Sequence, residues 1–267
     1  DEITDAARRK MLEYCFVTSS RLDQYDRDLQ RALRDTSPEY MEAQDISPED
    51  GQVLLGSSYG DQKGRVAIVT GSVGCGKSTF VTKVLLAAKS NKRLIPLTVD
   101  LINELVEAPS DNGKLLWKHL ERTWAKEHPE AYEYGELRKI FNGEINRLKR
   151  GPFAKVFETN EGEYQKHEAE LLDRLSKDPE VYFPASWKYS RSRGLGIILV
   201  LDNVDRTSEV FQRHAYNFAH KLATETGATV IVTMREFTFF RGQEAGFLDV
   251  RSSDLVFHLQ APSLNQI

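Results

Sequence analysis

The clearest chemistry in this sequence lies in one run, Gly71-Ser72-Val73-Gly74-Cys75-Gly76-Lys77-Ser78, which has the spacing G-x-x-x-x-G-K-[ST]. Its glycines admit backbone angles that a Cβ forbids, so successive N–H groups can turn inward as an anion nest. A helix beginning at Lys77 would add its positive N-terminal end. Lys77 would then reach the β- and γ-phosphates of a nucleoside triphosphate, and the Ser78 hydroxyl would be a ligand of Mg²⁺. Thr79 would add an α-phosphate contact. The run falls directly between a buried-strand pattern and an amphipathic helical pattern, which is the context this chemistry requires. Cys75 has two readings: a reactive thiol at a helix N-terminus, or a small residue that fits the loop.

Hydrolysis of such a ligand also needs a carboxylate to hold the metal and a group to orient water. Ile198-Leu199-Val200-Leu201-Asp202 is four apolar residues followed by an acid, the Walker B form. Asp202 would stand at the carboxyl end of a central strand, where open α/β sheets place ligands. A glutamate often follows this Asp and polarises water. Here the residue is Asn203, a poor base. Asp205 is the nearest remaining carboxylate; it could orient water or pair with Arg206. Arg235 ends the run Thr233-Met234-Arg235 and could reach the γ-phosphate, or lie exposed at a strand end. No N-K-x-D guanine signature occurs, since Asn91-Lys92-Arg93-Leu94 fails at its last position. ATP is therefore favoured over GTP.

These groups need strands to carry them. Arg65–Thr70, Leu94–Leu101, Gly196–Leu201, Ala228–Met234 and Leu255–Leu259 are apolar, β-branched runs of strand length. Pro96 suggests a sheet edge or a strand end for the second of them. Between strands, Phe80, Val81, Val84, Leu85 and Ala88 share one helical face, as do Val210, Phe211, His214, Phe218 and Leu222. Gly227 suits the C-cap of the latter helix. Strands alternating with helices imply an α/β fold with a mainly parallel sheet and helices on both faces, a three-layer sandwich.

From about residue 108 to 193 the strand signal stops. Leu115, Leu116, Leu120 and Trp124 suit one helix, Leu137 to Leu148 a second, and Tyr164 to Leu175 a third, so a helical insertion is expected. Trp117 and Trp124 read as its core. Arg147, Lys149, Arg150, Lys155, Arg191 and Arg193 read as solvated helix ends rather than a nucleic-acid face, because acids balance them. His119, His128 and His167 lack metal-ligand spacing. Residues 1–50 are expected to form an N-terminal helical segment, with Leu22, Tyr25, Leu29 and Leu33 at helical spacing; Tyr25 could lie against an adenine.

The 267 residues carry 36 Lys and Arg against 40 Asp and Glu, a formal net charge of -4, so no global basic field recruits nucleic acid or anionic membrane. No apolar run is long enough to span a bilayer. Two cysteines, Cys15 and Cys75, make neither a disulfide framework nor a zinc site, and a cytoplasmic setting is expected.

Together, the loop at 71–79, the Asp202-Asn203-Val204-Asp205 motif and the strand ending Val232-Thr233-Met234-Arg235 resemble the STAND class of P-loop ATPases, the NACHT and NB-ARC relatives of the AAA+ proteins. The resemblance covers roughly 65–100 and 195–260. It implies a P-loop ATPase domain over 51–267, functional roles for Lys77, Ser78, Asp202, Asp205 and Arg235, and self-association through that domain. It also implies a helical lid and sensor or effector domains outside this chain, with a part in signalling and, in some members, defence. Two features depart from the pattern. Asn203 is larger than the usual small residue, and Lys77 and Asp202 are 125 residues apart (202 minus 77). The expected function is an ATP- and Mg²⁺-dependent switch. The alternatives are an AAA+-like ATPase acting on DNA and an ATP-binding scaffold that does not hydrolyse.

Overall fold

Runs of Val, Ile and Leu that can be buried on both sides become the strands of one sheet in the computed structural model, which describes residues 64–90, 92–101, 112–151, 153–246, 248 and 254–259. The expected N-terminal helical segment, Tyr25 included, lies outside the described residues. The strands are β1 (Arg65–Gly71), β2 (Leu94–Asp100), β3 (Gly196–Asp202), β4 (Thr229–Arg235) and β5 (Leu255–Leu259). They lie in the order β2-β3-β4-β1-β5, and every pairing is parallel. Pro96 sits in β2 at one edge, where a missing N–H leaves only one neighbouring ladder to satisfy.

Alternation along each strand divides the core in two. Ala67, Val69, Ile198, Val200 and Ile231 face one helix, α1 (Lys77–Ser90), through its Phe80, Val81, Val84 and Ala88. Val66, Ile68, Leu97, Leu199 and Val232 face the other way. There they meet α2 (Asn112–Glu127), α7 (Pro179–Ser192) and α8 (Glu209–Thr226). The result is the expected three-layer α/β sandwich. Ser208 caps α8 by accepting from the Phe211 N–H, and Gly227 closes it in the left-handed conformation at φ 73°.

Between β2 and β3 the described residues are helical. After α2 come α3 (Tyr134–Ile140), α4 (Asn142–Arg150), α5 (Ala154–Thr159), α6 (Glu161–Ser176) and α7. The helix expected across Leu137 to Leu148 is two helices. Phe141, at φ -101° and ψ 26°, leaves helical geometry and turns its ring into the core, so the chain bends there. α7 was not foreseen. Its Pro184 reads as a breaker, yet the helix continues through it, starting from Pro179 at the first helical position and the Asp178 cap. The aromatic groups of α7 hold this region to the sheet. Trp187 and Phe183 are fully buried, Phe183 stacks on Trp117 at 6.0 Å, and the Tyr182 hydroxyl accepts from Trp124 at 3.2 Å. Trp117 and Trp124 are thus core, in one cluster with the sheet. Among the described residues, no helix is long and apolar enough to cross a membrane. Among the described residues the last helix, α9 (Glu236–Glu244), follows β4 directly.

Candidate functional site

β1 ends at Gly71 and α1 begins at Lys77, so the loop between them lies at the carboxyl edge of the sheet. Gly74 at φ 78° and Gly76 at φ 93° hold the left-handed angles that allow so tight a reversal. The Phe80 N–H donates to the Gly76 carbonyl at 2.8 Å, which starts α1 immediately after the loop. Ser72, Val73, Gly74 and Ser78 are exposed, Thr79 is half-buried, and Val73 at the tip is 73% exposed. Cys75 points the other way and joins the apolar cluster beneath α1 at 5% exposure, the place of a small residue filling space. The Lys77 ammonium donates to the carbonyls of Gly71 at 2.8 Å and Ser72 at 2.9 Å, which holds it over the loop.

The other site residues reach the same edge through strand register. Gly71 lies beside Arg235 across the β1–β4 pairing, and Asp100 beside Asp202 across β2–β3. Parity matters as much as position. Asp202 shares its strand face with Ile198 and Val200, and Thr233 and Arg235 share theirs with Ile231. That face is the one covered by α1. Alternation therefore gathers Asp100, Asp202, Thr233 and Arg235 on the side where α1 presents Lys77 and Ser78.

Hydrogen bonds fix this group. Asp202 Oδ1 accepts from the Thr233 hydroxyl and, at 2.9 Å, from the Asn203 backbone N–H. The same N–H lies 3.1 Å from Thr233 Oγ1. Asn203 adopts a left-handed conformation, φ 61° and ψ 32°, which Asn tolerates better than most residues. This turns its side chain toward β2, where Nδ2 donates to Asp100 Oδ1 at 2.8 Å. Asp205 lies in the short turn after β3 and pairs with Arg235, Nε to Oδ2 2.8 Å, its own side chain 5% exposed. Its partner is thus Arg235 and not the adjacent Arg206 weighed from the sequence.

Asp100 and the tasks of Asn203 and Thr233 escaped the sequence reading. A signal existed: β2 ends in an acid after apolar residues just as β3 does. The remaining polar groups that the sequence singled out lie elsewhere. Arg191 donates to the Gly227 carbonyl at 2.7 Å, and Lys149 lies over the Phe157 ring at 4.9 Å. Among the described residues, no group of three or more His, Cys, Asp or Glu could hold a metal by itself.

Thr233→Val tests the bracing of Asp202. The change keeps the shape of a buried side chain but removes a donor to the carboxylate. Stability should fall by about 1 kcal/mol, the net worth of one such bond, read as a lower urea midpoint.

No family model matches this chain, and no curated protein matches it. Solved structures superpose on it only loosely. Cdc6p from Pyrobaculum aerophilum superposes with a TM-score of 0.41 at 13% identity, over 87% of this chain and 50% of that one. The Aeropyrum pernix ORC2 protein in ADPNP–ADP complexes gives 0.42 at 12%, over 87% and 52%. Its ADP form gives 0.40 at 12%, over 87% and 53%. This chain thus spans about half the length of these proteins. Likeness at 12–13% identity assigns no activity to it.

Proposed function

We propose that this chain binds ATP with Mg²⁺ between the loop 71–79 and the ends of β2, β3 and β4, and hydrolyses it slowly as a nucleotide-dependent switch of the STAND kind. One observation carries the reading. Strand register and alternation place Asp202, braced by Thr233 and Asn203, on the sheet face covered by the helix that follows the glycine loop.

Each residue has a task. The N–H groups of Gly71 to Gly76 and the first turn of α1 receive the phosphates. Lys77 leaves the loop carbonyls for the β- and γ-phosphate oxygens, trading neutral acceptors for charged ones. Thr79 meets the α-phosphate. Ser78 and Asp202 would hold Mg²⁺, which needs only one or two protein oxygens beside phosphate and water. Bound there, Mg²⁺ supplies charge neutralisation and polarises the transferred phosphoryl group. Asp205 keeps Arg235 at the end of β4, beside Gly71, with its guanidinium available to the γ-phosphate.

A switch requires that the two nucleotide states favour different conformations or assemblies. Self-association is the natural readout, with a neighbouring copy completing the site. Phosphate release by the dilute chain should stay below about one turnover per second, because an Arg finger from a neighbour can add roughly 10³–10⁵-fold. Turnover per chain should rise with protein concentration, measured by a coupled phosphate assay beside light scattering. Tight ATP binding with no phosphate release at any concentration would favour the non-hydrolysing scaffold.

A further inference from the structure

The ATPase reading leaves one task unassigned: which group orients the attacking water. The position after Asp202, where a glutamate often serves, holds Asn203. Asp205 is tied to Arg235 and almost wholly buried, so it is not presented to water. Asp202 Oδ1 is already engaged by Thr233 and by the Asn203 backbone. A further carboxylate stands at this edge. Asp100 is exposed, ends the neighbouring strand, is the register partner of Asp202, and accepts from the Asn203 side chain at 2.8 Å.

Resting on that ATPase reading, we propose that Asp100 is the water-orienting carboxylate of this site and that Asn203 is its positioning residue. The usual arrangement places the acid directly after the metal-binding Asp. Here the acid has moved one strand over, and the amide that holds it occupies the vacated position. The backbone fixes this pairing. The Leu101 N–H donates to the Asp202 carbonyl at 3.1 Å, so the end of β2 is locked to the end of β3 beyond the Asp100–Asp202 pair. Parallel strands lie about 4.8 Å apart, so both carboxylates share one small space on the α1 face.

In the step proposed, a water oxygen bonds to the γ-phosphorus while the bond from that phosphorus to the β–γ bridging oxygen breaks. The electron pair leaves with ADP. The water proton passes to the Asp100 carboxylate and from there to solvent, so ATP and water become ADP, phosphate and a proton. Asn203 donates to Oδ1 of Asp100 and thereby fixes the orientation of the carboxylate that receives the proton.

Four proteins test this: wild type, Asp100→Asn, Asn203→Asp, and the double exchange Asp100→Asn with Asn203→Asp. ATP affinity is read by calorimetry and the chemical step by single-turnover phosphate release. Asp100→Asn should keep wild-type affinity and slow the step by about 100-fold, the low end for loss of a general base. Asn203→Asp should also slow it, since two acids then face each other without a donor. The double exchange restores one acid and one amide across the same contact, and should recover much of the rate. A merely structural role predicts no such rescue. Asp100→Asn turning over at the wild-type rate, or an exchange protein no faster than the slower single variant, would overturn the proposal while leaving ATP binding intact. Wild type that binds no ATP would instead remove the reading on which it rests.

Discussion

Replacing Lys77 with Ala should weaken ATP binding by about 100-fold, from the loss of charge-assisted contacts worth about 1.5–3 kcal/mol against about 1.4 kcal/mol per tenfold change in affinity. Lys77 is the cation held over the loop, its ammonium within 3 Å of two loop carbonyls. Those carbonyls fix where it waits; they do not compete with a triphosphate, which offers full negative charge. Its removal should spare the fold. The side chain is only partly buried, and its bonds are to two backbone oxygens and, at 3.9 Å, to Cys75 Sγ. Calorimetry should therefore show weak or undetectable ATP binding by a variant whose melting temperature without nucleotide stays near that of wild type. The rise in melting temperature that saturating ATP gives the wild type should shrink, because stabilisation by a ligand scales with its affinity.

Asp202→Asn should have the opposite profile, with turnover cut by about 10³-fold and affinity changed far less, in line with losing a preorganised charge at a transferring phosphoryl group. Asn keeps an oxygen for the Asn203 N–H and the Thr233 hydroxyl, so local geometry survives and the lost charge is isolated. Phosphate release should also lose its dependence on Mg²⁺ over the range where wild type responds. The contrast between the two variants matters more than either number. On the proposed reading Lys77 would bind the ground state, whereas Asp202 would act most strongly as charge shifts in the transition state.

The parts of this site that lie within one stretch of chain could be read from sequence. The loop at 71–79 is legible because a tight reversal between a strand and a helix start needs glycine at specific backbone angles, and Gly74 and Gly76 do take those angles. The strands are legible because a sheet covered on both faces demands unbroken apolar runs. What escaped depends on register between distant segments. The Asn203–Asp100 bond joins residues 103 apart in sequence, and it forms only because β2 lies next to β3 at the sheet edge. Asp205 and Arg235 were each noticed, but their pairing needs the turn after β3 to fold against the end of β4. Helix α7 was not among the expected helices; it runs through Pro184, whose lost donor is outweighed by burial of Tyr182, Phe183 and Trp187. Phe141 shows the reverse: helical spacing ran across it, but burying its ring required a bend.

If the loop and the strand ends form one Mg²⁺-dependent triphosphate site, ATP titrated into the folded chain in a calorimeter should give saturable heat with one nucleotide per chain in the presence of Mg²⁺. That heat should be reduced by chelator and largely lost in Lys77→Ala. Folded protein that gives no saturable heat with ATP and Mg²⁺, or that binds equally well without Lys77, would contradict that arrangement.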